Sequence, residues 1–288
     1  MANSWYEDLN VYIRLGEPKL KKKAAAWQTA IGLQAVDGLS VSDYLLKTAK
    51  ENIEEKITDK EANARISNYY EERSDRHAIE TGTKEADIVA GRITALLAEK
   101  AFSFTPAAWM SIHRYLFKDV FMHAGEIRTY NISKNEWVLN GKSVFYASYD
   151  SIPMTMEYDF KTEAAFSYKN LSRDAISRHL AQFTCDIWQI HPFGEGNTRS
   201  TAVFIIKYLN SLGYSISNEA FAKYSWYFRN ALVRANYNDL PNGVHATTVY
   251  LEKFFDNLLY NGNNELKNRY LHVVLHKVAP VRERGLKS

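Results

Sequence analysis

Residues 189–209 read QIHPFGEGNTRSTAVFIIKYL. A histidine and a proline end one apolar-periodic segment, a short loop with two glycines follows, and a nearly all-apolar segment starts at once. The segment before it, SRDAISRHLAQFTCDIWQI, places Ile176, Leu180, Phe183, Ile187 and Ile190 on one helical face. His191-Pro192 stops that helix, because a residue before proline avoids the helical region. The segment after it is apolar nearly all round, which predicts a buried helix ending at Gly213. A fold with this helix–loop–helix at its centre is all-α.

The rest of the chain reads outward from there. AAAWQTAIGLQAV (24–36) has helical spacing, with Gly38 as its stop. Ser42 caps a second segment, and Thr58 with Glu61 forms a capping box for a third. These make a small helical N-terminal unit, residues 1–75, set off by a polar linker at 72–83 from a larger unit, residues 76–288. In the larger unit, helices are expected over 84–100, after a Thr105-Pro106 start, and over 154–169, 172–190, 199–212, 218–236 and 247–260. One stretch departs from this pattern. IRTYNISKNEWVLNGKSVFYAS is rich in β-formers, and Asn140-Gly141 between apolar runs predicts a β-hairpin over 132–146.

Composition excludes several classes. The 288 residues are 46% apolar and 14% aromatic, enough for a large core. A net charge of +3 argues against nucleic acid as a partner, although the tail HKVAPVRERGLKS is locally basic. Cys185 is the sole cysteine, so neither a disulfide within the chain nor a thiolate metal cluster is possible. MANSWYEDLN lacks the regions of a signal peptide, and the apolar run TAVFIIKYL is too short to span a bilayer. A cytoplasmic protein is expected, with its oligomeric state open.

The loop delivers backbone N–H groups to the start of a buried helix, which makes an anion site. Gly194 and Gly196 permit close approach to the backbone, and Arg199 adds a fork for phosphate. Asn197 either holds a phosphate oxygen or braces the loop. Glu195 belongs beside an anion only with a divalent cation between them, and Mg²⁺ accepts one or two carboxylates plus phosphates. His191 at the loop mouth suits a general base. No G-x-x-x-x-G-K-[ST], H-E-x-x-H or G-x-S-x-G motif competes with this reading.

The run HPFGEGNTR resembles the signature of the Fic family, H-P-F-x-[D/E]-G-N-[G/K]-R-x-x-R. HAGEIRTYNISK (123–134) is similar to the family's approach to its flap, and FRNALVRANYND (228–239) to its helix near the nucleotide base. The resemblance implies a Fic-type helical core over about 84–260 and transfer of AMP from ATP to a protein hydroxyl. It implies that His191 is the base and Phe193 the loop anchor. It makes Glu195 the Mg²⁺ ligand, and Gly194, Gly196, Asn197, Thr198 and Arg199 the phosphate-binding set. Asn236 and Tyr237 would lie near the base. The hairpin 132–146 would be the flap on which a target Tyr, Thr or Ser docks. Thr198 stands where Gly or Lys is usual, and Ala202 where a second arginine grips the γ-phosphate.

AIGLQAVDGL (30–39) resembles the inhibitory helix of VbhA-type antitoxins, [S/T]-x-x-x-E-[G/N]. Asp37-Gly38 stands at its acidic end and Leu33 at its Ser/Thr position. The likeness implies an inhibitory role for Asp37 and Gly38. Because the expected partner of that acid is Ala202 here, inhibition is expected to be weak. Alternatives remain: a Fic-fold enzyme moving a phosphoryl group, another nucleotide or phosphocholine, or removing AMP; or a non-catalytic toxin–antitoxin-like interaction protein.

Overall fold

Capping chemistry sets where the helices begin. In the computed structural model, which describes residues 4–72 and 79–273, Ser42 Oγ accepts from the Leu45 N–H at the start of α3 (Asp43–Ile53). Thr58 and Glu61 form the capping box of α4 (Asp59–Glu71). Thr105 Oγ1 accepts from the Ala108 N–H, ahead of Pro106 in α6 (Pro106–Phe117). The remaining helices are α1 (Ser4–Leu15), α2 (Pro18–Gly32), α5 (Ile79–Ala98), α7 (Ile152–Ala165), α8 (Arg173–Ile190), α9 (Asn197–Ser211), α10 (Asn218–Ala235) and α11 (Val249–Tyr260).

Helix α9 is the central strut. Every residue from Asn197 to Leu209 is buried, as its all-round apolar sequence predicts. It packs on α6, α8 and α5. Helix α2 packs between α5 and α10. Gly32 lets α2 and α10 meet: a Cβ there would lie 2.5 Å from the Ala222 Cα and 2.6 Å from the Phe221 carbonyl oxygen. Ser225 Oγ donates to the Gly32 carbonyl at the same crossing. One hydrophobic cluster runs through Trp27, Leu33 and Val36 as well as Val89, Phe204 and Phe228. The candidate unit 1–75 and the rest of the chain therefore share a core.

Three expectations need correction. Residues 79–83, read as linker, are the first turns of α5, and residues 73–78 lie outside the described residues, as does the basic tail 276–288. The helix read over 24–36 starts earlier, at Pro18, and ends as a 3-10 turn, Leu33–Asp37, with Gly38 in the left-handed region. Most important, no strand occurs among the described residues, so the β-hairpin over 132–146 does not form.

The reason is local. Asn140 and Gly141 do take positive φ, 55° and 85°, as a tight hairpin turn requires. But Val138 and Leu139 are both buried, as is Glu136, which breaks the alternation a two-faced strand needs. Trp137–Leu139 instead winds into a 3-10 turn. The Val138 carbonyl accepts from the Val273 N–H, and Asn140 Nδ2 donates to the Val273 carbonyl, so this backbone serves the C-terminal segment. Across the two limbs, the Arg128 guanidinium donates to the carbonyls of Tyr130 and Ala147 in place of a strand ladder.

Candidate active site

Helix α8 ends at His191, whose φ of 47° and ψ of 58° turn the chain out of the helix before Pro192. The loop returns to α9 through Gly196, at φ 76°, which caps the helix without a side-chain bond. Gly196 is glycine for two reasons. Its conformation is left-handed, and a Cβ would lie 2.4 Å from Phe117 Cε2. At Gly194 a Cβ would meet Tyr130 Oη at 2.8 Å. Both glycines, read from sequence as room for a ligand, are in the first instance room for aromatic neighbours.

Asn197 braces the loop with both ends of its amide. Its Oδ1 accepts from the Phe193 N–H at 3.0 Å, and its Nδ2 donates to the Phe193 carbonyl at 2.7 Å. The Thr198 side chain faces back to α8, where its Oγ1 accepts from Trp188 Nε1 at 3.0 Å. Both side chains are thus engaged within the loop and the helix before it. Phe193 is fully buried, stacked on the His113 ring at 3.7 Å.

His191 is 2% exposed. Its Nδ1 lies 3.0 Å from the Trp188 carbonyl. A carbonyl only accepts, so Nδ1 carries the proton and Nε2 keeps its lone pair. The Tyr146 ring lies 4.1 Å from the imidazole, and Trp188 meets it edge-on. Burial, and then the Lys134 ammonium, hold its pKa well below the ordinary 6.5. The ring is therefore neutral at physiological pH, the state a base requires. Glu195 is the exposed acid of the loop: its side chain is 57% exposed, and Oε2 accepts from Lys134 Nζ at 3.0 Å.

Arg199 is 1% exposed and held from several sides. Its guanidinium donates to Glu85 Oε1 at 2.5 Å and Gln34 Oε1 at 3.1 Å. Its Nε lies 2.7 Å from Asp37 Oδ2, close enough for charge pairing but not aligned for a hydrogen bond. The Phe117 ring covers it at 4.8 Å. Asp37 thus reaches the loop's arginine, not the position of Ala202, whose side chain is buried in the core. Gly38 supplies the left-handed turn after Asp37.

A cavity of about 460 Å³ opens here, lined by Asp37, Gly38, Glu85, Phe121, Glu195, Arg199, Trp226 and Arg229. That volume suits a small molecule. Asn236 and Tyr237 do not line it. The Asn236 amide donates to the carbonyls of Leu232 and Cys185, and Tyr237 is buried with its hydroxyl on Asp239. A larger cavity, about 560 Å³, lies between α2, α5 and the α9–α10 turn and touches none of the loop.

Several supporting residues escaped the sequence reading. His113 is buried; its Nδ1 accepts from the Gly125 N–H, so its Nε2 donates to the Glu195 carbonyl at 2.9 Å. Burial pushes its pKa down to about 4, leaving it a neutral brace. Arg128 donates to the carbonyls of His191 and Ile190, and the Pro192 carbonyl accepts from the Arg128 N–H. Glu136, fully buried, holds Arg229 through two contacts of 2.6 and 3.1 Å. Arg128, Lys134 and Arg229 all lie inside the two stretches that flank the signature in the resemblance. No pattern of spacing marked them individually.

The Fic/DOC family model matches residues 103–209. The chain is 27% identical over 135 residues to the "Probable protein adenylyltransferase y4lH" of Sinorhizobium fredii, covering 46% of this chain and 66% of that one. It is 24% identical over 116 residues to the "Probable protein adenylyltransferase Fic" of Salmonella typhimurium, covering 40% and 55%. The chain thus spans less than two thirds of either relative. Among solved structures, the N-terminal FIC domain of Bep8 from Bartonella sp. 1-1C aligns with a TM-score of 0.51 at 17% identity, over 64% of this chain and 87% of that one. The N-terminal Fic domain of an effector from Bartonella sp. AR 15-3 aligns with a TM-score of 0.52 at 16% identity, over 64% and 84%. At such identities the likeness speaks for the fold alone. The signature loop and the helices that flank it, α8 and α9, fall inside or at the edge of the stretch, residues 103–209, that matches the Fic/DOC family model.

Proposed function

We propose that the protein is an adenylyltransferase that moves AMP from ATP to a hydroxyl of a target protein. The observation that carries this is His191: a neutral imidazole with its proton on a carbonyl, at the mouth of a loop that opens a buried helix. The two curated relatives, both named probable protein adenylyltransferases, support it. In this reading His191 Nε2 takes the proton of the target hydroxyl as its oxygen attacks the α-phosphorus, and pyrophosphate leaves. The phosphates lie at the start of α9, held by its backbone N–H groups and by Arg199. Phe121 and Trp226 offer aromatic faces for the base.

The donors fit Mg²⁺. Among the described residues there is no cluster of three or more His, Cys, Asp or Glu side chains that would make a protein-only cage. Glu195 instead presents a single exposed carboxylate, which suits an ion that keeps its other positions for phosphate and water. Bound there, the ion would neutralise phosphate charge. The target segment would pass the irregular stretch 132–146, near the exposed Trp137 and Phe145.

One observation favours a second reading. Ala202 is buried and apolar where the resemblance expects an arginine for the γ-phosphate, which leaves room for a different transferred group. Labelled ATP separates the two. With AMP transfer, label from α-³²P-ATP appears on protein and label from γ-³²P-ATP does not; the reverse pattern selects phosphoryl transfer.

In this proposal residues 1–75 form a restraining unit. Asp37 and Glu85 already pair with the one arginine of the anion loop, so a nucleotide competes with them for it. Asp37→Ala is expected to tighten ATP binding about tenfold, the equivalent of about 1.4 kcal/mol, and to raise transfer accordingly. Unchanged affinity and rate in a folded variant would remove Asp37 from any inhibitory role.

A further inference from the structure

We infer that Lys134 is a transferable counter-ion of the phosphate site: its ammonium holds Glu195 when the site is empty, and passes to the nucleotide phosphates when a divalent cation takes that carboxylate. This rests on the nucleotide reading above.

The inference starts from which acids near the cavity are already occupied. Asp37 and Glu85 serve Arg199, and Glu136 serves Arg229. Glu195 is the one lining acid whose cation comes from a long, single-headed lysine. The Lys134 backbone is tied across the turn, where its N–H donates to Ser143 Oγ. Its side chain is partly exposed, so in this inference the ammonium can move without moving the backbone. A divalent ion on Glu195 would repel the ammonium at close range. The displaced charge finds no other free carboxylate among the lining residues, and the phosphates are the remaining acceptors. This also answers the missing arginine. The buried Ala202 offers no cation, whereas Lys134 brings its ammonium to Glu195, which lines the cavity.

Direct ATP binding tests it without relying on turnover. Titrations of wild type, Lys134→Ala, Glu195→Gln and the double variant are run with Mg²⁺ and with EDTA, with thermal melting as the check on folding. With Mg²⁺, Lys134→Ala is expected to weaken ATP binding about tenfold, as loss of one charged phosphate contact. In EDTA, Glu195→Gln is expected to bind ATP several-fold tighter than wild type, because the lysine is already free. The double variant loses that gain. Lys134→Arg keeps most of the affinity. If the double variant binds as tightly as Glu195→Gln, or if Lys134→Ala matches wild type with Mg²⁺, the inference is overturned while the nucleotide reading stands. If wild type binds no ATP in either condition, both fall together.

Discussion

His191→Ala removes transfer while the protein stays folded: the expected fall in rate is about 10²–10⁴-fold, the usual contribution of a positioned base. The ring makes one polar contact of its own, to the Trp188 carbonyl. The contacts that shape the loop use the His191 backbone, whose carbonyl accepts from Arg128 Nε at 2.8 Å. Alanine keeps that carbonyl and, like histidine, carries a Cβ at φ 47°, so the left-handed conformation adds little cost of its own. His191→Asn serves as the second variant, since asparagine tolerates the left-handed region better and likewise lacks a suitable base. ATP affinity should change little in either. The pH profile carries the sign. Because burial and Lys134 hold the imidazole's pKa well below 6.5, the active neutral form persists as pH falls through 6.5, and the acidic limb lies below that value. Lys134→Ala removes one depressing charge and should move that limb upward. Wild-type rates in both His191 variants would show that His191 is not the base.

Sequence carried the helices further than it carried the site. The caps at Ser42, Thr58 and Thr105 and the all-apolar run of α9 are short-range signals, and each appears where its spacing puts it. Helix α1 and the first turns of α5 were not read as helix from the sequence. The hairpin failed for a tertiary reason. Asn140-Gly141 turns as its chemistry dictates, but Glu136 and Val138 are drawn inward by Arg229 and by the C-terminal segment. In the loop, the order of residue types carried the helix–loop–helix but not the partner of each side chain. Asn197 and Thr198 brace the loop because their partners, Phe193 and Trp188, lie across a turn that only the folded chain closes. Asp37 meets Arg199 over 162 positions of sequence, a distance no local pattern bridges. The fold of α2 into the 3-10 turn Leu33–Asp37, packed on α9 and α10, is what delivers that carboxylate.

Glu136→Ala is expected to cost about 3–5 kcal/mol, the range for breaking a buried ion pair by removing one partner. The carboxylate is fully buried and takes two contacts from Arg229, whose side chain is 14% exposed. Removing it leaves a guanidinium at the cavity wall with its counter-charge gone. It also frees Tyr146, whose hydroxyl donates to Glu136 Oε1 at 3.3 Å and whose ring lies on His191. Two comparisons separate charge from packing. Glu136→Gln keeps the volume and an acceptor, so its cost should be smaller, about 1–3 kcal/mol. Glu136→Leu with Arg229→Met removes both charges and keeps apolar volume, and should destabilise less than Glu136→Ala alone, because no unpaired charge remains. Urea unfolding of the four proteins measures all of this. A Glu136→Ala protein within 1 kcal/mol of wild type, or a double variant worse than the single, would mean that Arg229 finds water or another acceptor in the open cavity. In that case the pair would not be what holds the stretch 132–146 over His191.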